Sequence, residues 1–135
     1  MSITSAAQLL SNTLYGKRFF PYYAFNLLAG IDTATGMGAV YSYDAIGSFE
    51  RTTYSAKGSG QMYIIPVLDN VIGHRNRLDN NGIAPTLSIE EVVEILKDVF
   101  VSAGERDIYT GDTLEIQILT HNAPTVIQTF PLKAD

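Results

Sequence analysis

Two short stretches carry side chains that could act together. The first is Arg106-Asp107-Ile108-Tyr109-Thr110-Gly111-Asp112. A carboxylate follows a predicted helix, with a hydroxyl three residues on and a glycine after it. Such groups can orient one another at a helix end. A C-terminal turn with solvated charges explains the same residues equally well. The second stretch is Gly58-Ser59-Gly60, ahead of another predicted helix. Backbone N–H groups there could hold an anion. The lysine and spacing of a phosphate-binding loop are missing, so the preferred reading is a tight strand-to-helix turn with Ser59 as its cap. His74 and His121 are the only histidines, and both fall in predicted loops. A metal centre needs three or four converging ligands with supporting contacts. The two histidines are therefore read as solvated, and no metal or cofactor is expected. With no cysteine in the chain, disulfides, thiolate metal sites and a cysteine nucleophile are excluded.

The elements that must position these groups follow from periodicity. Ile3, Ala6, Ala7, Leu10 and Leu14 recur at helical spacing and predict a helix over 3–15, stopped by Gly16. Lys17 and Arg18 then sit where a helix C-terminus favours positive charge. Strands are expected at 25–31, 39–43 and 48–56, joined by short turns at 32–38 and 44–47, which implies an antiparallel sheet. A second helix is expected at about 60–72. Pro66 conflicts with it, since an interior proline costs about 3 kcal/mol or more. Residues 73–86 read as a polar loop. The third helix, about 89–103, is the clearest element. Ser88 and Glu91 form a capping-box pattern, and Ile89, Val92, Val93, Leu96, Val99, Phe100 and Ala103 make one apolar face. Strands at 113–120 and 125–130 close the chain. Strands and helices come in separate runs, which argues for antiparallel α+β layers.

Composition sets the limits. The chain has 135 residues, the size of one domain, and 46% of them are hydrophobic, as in a packed globular protein. Net charge is −5, and residues 88–115 hold eight acidic groups against Lys97 and Arg106. Phosphate backbones need a basic surface, so nucleic acid is disfavoured as a partner. Apolar runs are far short of a membrane span, and residues 1–8 lack the pattern of a signal peptide. The aromatic cluster Phe19, Phe20, Tyr22 and Tyr23 is enriched in the residue types of interfaces and of cores, and composition does not separate the two.

Several stretches together resemble the proteasome beta subunit family over essentially the whole chain. The most specific is Leu14-Tyr15-Gly16-Lys17-Arg18-Phe19-Phe20-Pro21-Tyr22-Tyr23. Gly38-Ala39-Val40-Tyr41-Ser42-Tyr43-Asp44, Gly47-Ser48-Phe49-Glu50-Arg51, Leu68-Asp69-Asn70 and Glu105-Arg106-Asp107-Ile108-Tyr109-Thr110-Gly111-Asp112 continue it in order. Within the family the resemblance is to the non-catalytic subunit at the sixth position of the eukaryotic beta ring. It implies an α+β fold: part of an N-terminal-nucleophile hydrolase sandwich of two antiparallel sheets flanked by helices, without its first strands and first helix. Residues 1–135 would then be the C-terminal portion of one such domain. A piece lacking those strands would expose sheet edges and apolar surface and be marginal as an isolated monomer.

Active relatives use an N-terminal threonine whose own amine can act as the base, with an aspartate and a lysine assisting. All three belong to the part of the family domain that precedes residue 1. The resemblance matches Ser59, Asp107, Thr110 and Gly111 to accessory positions that orient the threonine in active members. Thr110 replaces a serine, and Asp112 replaces a second glycine. No catalytic residue is expected among them. The implied role is structural, in stacked seven-membered rings of alpha and beta subunits, with no nucleic acid and no membrane partner. It serves ubiquitin-dependent protein degradation in cytoplasm and nucleus. The competing reading is an active threonine peptidase whose nucleophile lies upstream. Phe19, Phe20, Tyr22 and Tyr23, with His74 and Arg75 in the loop 73–86, are the candidate contact residues.

Overall fold

The computed structural model describes residues 1–74, 78–79 and 81–134. Its contacts fall into two compact units, 1–57 with 118–126 and 58–117 with 127–135.

In the first unit, the apolar stripe of 3–15 becomes helix α1, Ile3–Tyr15, capped by Ser2, whose hydroxyl accepts from the Ser5 N–H at 3.1 Å. Three antiparallel strands follow: β1 (Leu27–Asp32), β2 (Met37–Tyr43) and β3 (Phe49–Thr52). They lie in the order β1-β2-β3, with Leu27 opposite Ser42 and Val40 opposite Thr52. Alternation on β2 buries Ala39, Tyr41 and Tyr43 on one face, against Ala7 and Leu14 of α1. Tyr43 is the largest fully buried side chain. Its hydroxyl donates to the Ala7 carbonyl at 2.6 Å, and its ring stacks on Phe49. The expected third strand over 48–56 is shorter than alternation suggests. Pairing with β2 stops at Thr52, where the hydroxyl turns to the Tyr54 carbonyl.

In the second unit, Pro66 stands inside helix α2, Gln61–Leu68. Proline removes one backbone donor, and the chain continues directly into a π-helical turn, Asp69–Gly73, closed by the His74 N–H on the Asp69 carbonyl. The expected helix over about 60–72 is thus an α-helix with Pro66 in its interior that runs into a π-helical turn. Helix α3, Ile89–Arg106, carries both halves of the capping box: Ser88 Oγ accepts from the Glu91 N–H at 3.2 Å, and Glu91 Oε2 accepts from the Ser88 N–H at 2.7 Å. Replacing Ser88 by alanine is expected to cost about 1 kcal/mol, read as a lowered urea midpoint with an unchanged slope. Strands β4 (Thr113–Ile118) and β5 (Val126–Pro131) form the second antiparallel sheet, with Leu114 and Ile116 buried. Lys97 of α3 lies over the Phe130 ring at 4.0 Å and pairs with Glu94. These helices and two sheets make the α+β fold expected from the segregated runs. Among the described residues no helix is long and apolar enough to cross a membrane.

Candidate functional site

Asp107 is the one buried charged residue among those described. It caps α3 with an extended backbone, its N–H bonded to the Ala103 carbonyl at 2.8 Å. A tight turn, Thr110 N–H to Asp107 carbonyl, then brings the threonine side chain back. Oδ2 accepts from Ser59 Oγ at 2.6 Å and from Thr110 Oγ1 at 2.7 Å, while Oδ1 accepts the Tyr109 N–H at 3.1 Å. Gly60 makes room for this convergence. A Cβ there would stand 3.2 Å from Thr110 Oγ1 and 3.5 Å from Asp107 Oδ2.

The expectation that Ser59 caps α2 is corrected. Gly60 holds the cap position without a side-chain bond, because the Ser59 hydroxyl is taken by a carboxylate 48 residues away. Charge-assisted bonds are stronger than neutral ones, and the buried acceptor wins over the local N–H. The solvated-turn reading of 106–112 is likewise corrected in favour of groups that orient one another.

A carboxylate at a helix C-terminus faces the negative end of the dipole, and burial also disfavours its charge. The hydroxyl bonds outweigh both. Asp107 is held below the ordinary aspartate value of 3.8, first by Ser59, then by Thr110, with the Tyr109 N–H adding to them and burial opposing. A carboxyl so acidified is a poor general base at neutral pH. Both hydroxyls donate to the same oxygen, Oδ2. The cluster can orient groups by hydrogen bonding. An open cleft of about 470 Å³ beside it is lined by Gly58, Ser59, Gln61, Met62, Ile65 and Pro66. Among the described residues no three His, Asp or Glu side chains come together as a metal site would need.

Against known proteins, the family described as Proteasome subunit matches residues 1–119. The chain belongs to the proteasome subunit family. It is 53% identical to proteasome subunit beta type-1 of Oryza sativa subsp. japonica, over 100% of this chain and 61% of that protein. It is 56% identical to the Arabidopsis thaliana protein of the same name, over 88% of this chain and 54% of the relative. For the Drosophila melanogaster protein the figures are 47%, 100% and 57%. The chain thus spans little more than half the length of these proteasome subunits.

Of the residues that the resemblance matches to accessory positions, Ser59 and Thr110 meet on the carboxylate of Asp107. Gly111 lies next to them, where a Cβ would approach the Lys133 carbonyl to 3.0 Å. Asp112 has φ +60, a left-handed conformation that glycine adopts freely and aspartate tolerates. The candidate contact residues lie elsewhere. Phe19, Phe20, Tyr22 and Tyr23 are all exposed, Phe19 at 93%. His74 is half-buried at the end of the π turn with φ +52, while Arg75 lies outside the described residues. Two features were missed by sequence reasoning, the close approach at Gly60 and the Asp107 acceptor for Ser59. The Gly-Ser-Gly and Arg-Asp pairs signalled that each stretch was special, but not that they meet.

Proposed function

We propose that this chain is part of a structural β subunit of the 20S proteasome core particle, at the sixth β-ring position. In this reading it supplies packing and contact surface to stacked seven-membered rings and does not cut peptides. Its partners are other alpha and beta subunits. The setting is ubiquitin-dependent protein degradation in cytoplasm and nucleus. The observation that carries the reading is near-50% identity along the whole chain to proteins named proteasome subunit beta type-1. Two features support it: the Asp107 cluster is satisfied internally, and large aromatic side chains stand exposed in the segment 19–23.

The test is gentle isolation of the tagged full-length protein, with particle size and co-purifying chains measured together. A large particle of alpha- and beta-type chains is expected, and a small species without them would overturn the reading. Replacing Tyr22 and Tyr23 together by alanine should lower incorporation roughly tenfold or more if they are contact anchors. Unchanged incorporation would remove them from the interface.

Retention of the Ser59–Asp107–Thr110 cluster favours one second reading, an active threonine peptidase. The two are separated by treating the particle with an electrophile that acylates N-terminal threonine. The structural reading expects the intact mass of this chain to stay unchanged.

A further inference from the structure

After α1 the chain makes three overlapping tight turns and runs without regular structure to β1. This stretch, 15–25, exposes Tyr15, Phe19, Phe20, Tyr22, Tyr23 and Phe25. It also holds Lys17 and Arg18, the only charged side chains in the first 31 residues. The chain as a whole carries −5, so a +2 segment is joined to a remainder of −7. No carboxylate comes within ion-pair distance of either cation among the described residues. Aromatic faces hold them instead. The Arg18 guanidinium lies 5.3 Å from the Phe19 ring centre and 5.9 Å from that of Tyr15, and Lys17 Nζ is 6.0 Å from that of Tyr22. These distances are within cation–π range. A guanidinium lying over rings still has its N–H fork at the edge, the geometry that takes a carboxylate through two bonds. Tyr23 adds a fixed bend, with φ +55, rare for so bulky a residue.

We propose that residues 15–25 form a hook that docks on an acidic, partly apolar surface of a different protein chain, with Arg18 receiving a carboxylate of that chain. The inference deepens the ring-subunit reading and rests on it for the existence of a neighbour. The composition, tyrosine and phenylalanine around arginine, is that of binding hot spots. The charge specifies what the partner must bring. Two copies meeting hook to hook would oppose like charges, which argues against the symmetric self-contact commonest among dimers.

The test uses the full-length protein in the species it forms on isolation. A zero-length carbodiimide joins an amine only to a carboxylate touching it. Lys17, or position 18 in an Arg18→Lys variant, should become linked to an Asp or Glu of another subunit. Arg18→Glu should lower incorporation at least about tenfold, and Arg18→Lys by only a few-fold. Equal incorporation of Arg18→Glu and wild type would overturn the proposal. So would links only between copies of this chain, told apart by isotope labelling, or release of the protein by nuclease. If the wild-type species lacks proteasome chains yet Lys17 is linked to a carboxylate of another protein, the ring reading fails and the hook stands.

Discussion

Gly47→Ala is expected to loosen the first unit from its core outwards. Gly47 has φ +89, and a Cβ on it would lie 2.5 Å from the Ser11 carbonyl oxygen and 3.1 Å from the Leu14 Cβ. Both constraints act together. A left-handed backbone costs a non-glycine residue about 1–3 kcal/mol. The contact is with the backbone of α1, which cannot swing aside as a side chain would, and overpacking of this kind costs about 1–3 kcal/mol more. The shift would also strain the 2.6 Å bond from Ser11 Oγ to the Gly47 carbonyl and the seat of Leu14 against Tyr43. A total of about 2–6 kcal/mol is a large part of a domain's stability. Amide hydrogen exchange should rise through α1 and β2. The control is Gly38→Ala, where nothing lies within 4 Å of the added carbon and φ is ordinary. That change should be neutral or stabilise by up to about 1 kcal/mol. Equal protection in Gly47→Ala and wild type would show that α1 does not press on this turn.

Gly47 also illustrates what the sequence can and cannot reveal. Its turn is readable, since Asp44 and a glycine three residues on are common turn residues, and Asp44 Oδ1 does accept the Ile46 and Ser48 N–H groups. The second reason for glycine, a helix backbone 36 residues earlier in the chain, is not written locally. The same division holds elsewhere. Helices α1 and α3 are legible because an amphipathic stripe and a capping box are local patterns. The end of β3 is not, because β2 continues to Met37 while pairing stops at Thr52, where the hydroxyl turns to the Tyr54 carbonyl. Pro66 marks its own conflict, but not the π turn that follows it. The node at Asp107 was only half legible. The spacing of Asp107 and Thr110 is local, whereas Ser59 joins from another element and changes its role from cap to ligand of a carboxylate. Exposure of the aromatic side chains of 19–23 is not written locally, because aromatic residues serve cores and interfaces alike.

Asp107→Asn is expected to destabilise the end of α3 and to change how stability depends on acid. In the wild type, two hydroxyls and one N–H all donate to the carboxylate. An amide of the same shape can offer its oxygen to the hydroxyls only by turning its NH2 toward the Tyr109 N–H, donor against donor. Reversing it keeps the Tyr109 bond but makes the NH2 the donor, so both hydroxyls must turn their lone pairs to it and their own protons lose this acceptor. In either orientation the charge assistance is lost. The pH dependence follows from the direction of the shift. The folded-state pKa lies below the ordinary value of 3.8. The folded protein therefore holds its carboxylate where the unfolded chain has begun to take up a proton. The stabilisation is complete above the unfolded value and is lost as pH falls through the lower folded one. Urea melts from neutral pH down to about 2.5 should show the wild type losing stability more steeply below 3.8 than Asp107→Asn, whose side chain does not titrate. Ser59→Ala and Thr110→Ala should each remove part of that difference, Ser59→Ala the larger part. Parallel acid profiles for wild type and Asp107→Asn would mean that the carboxylate draws no stability from its ring of donors, and the node would then be only a meeting of neighbours.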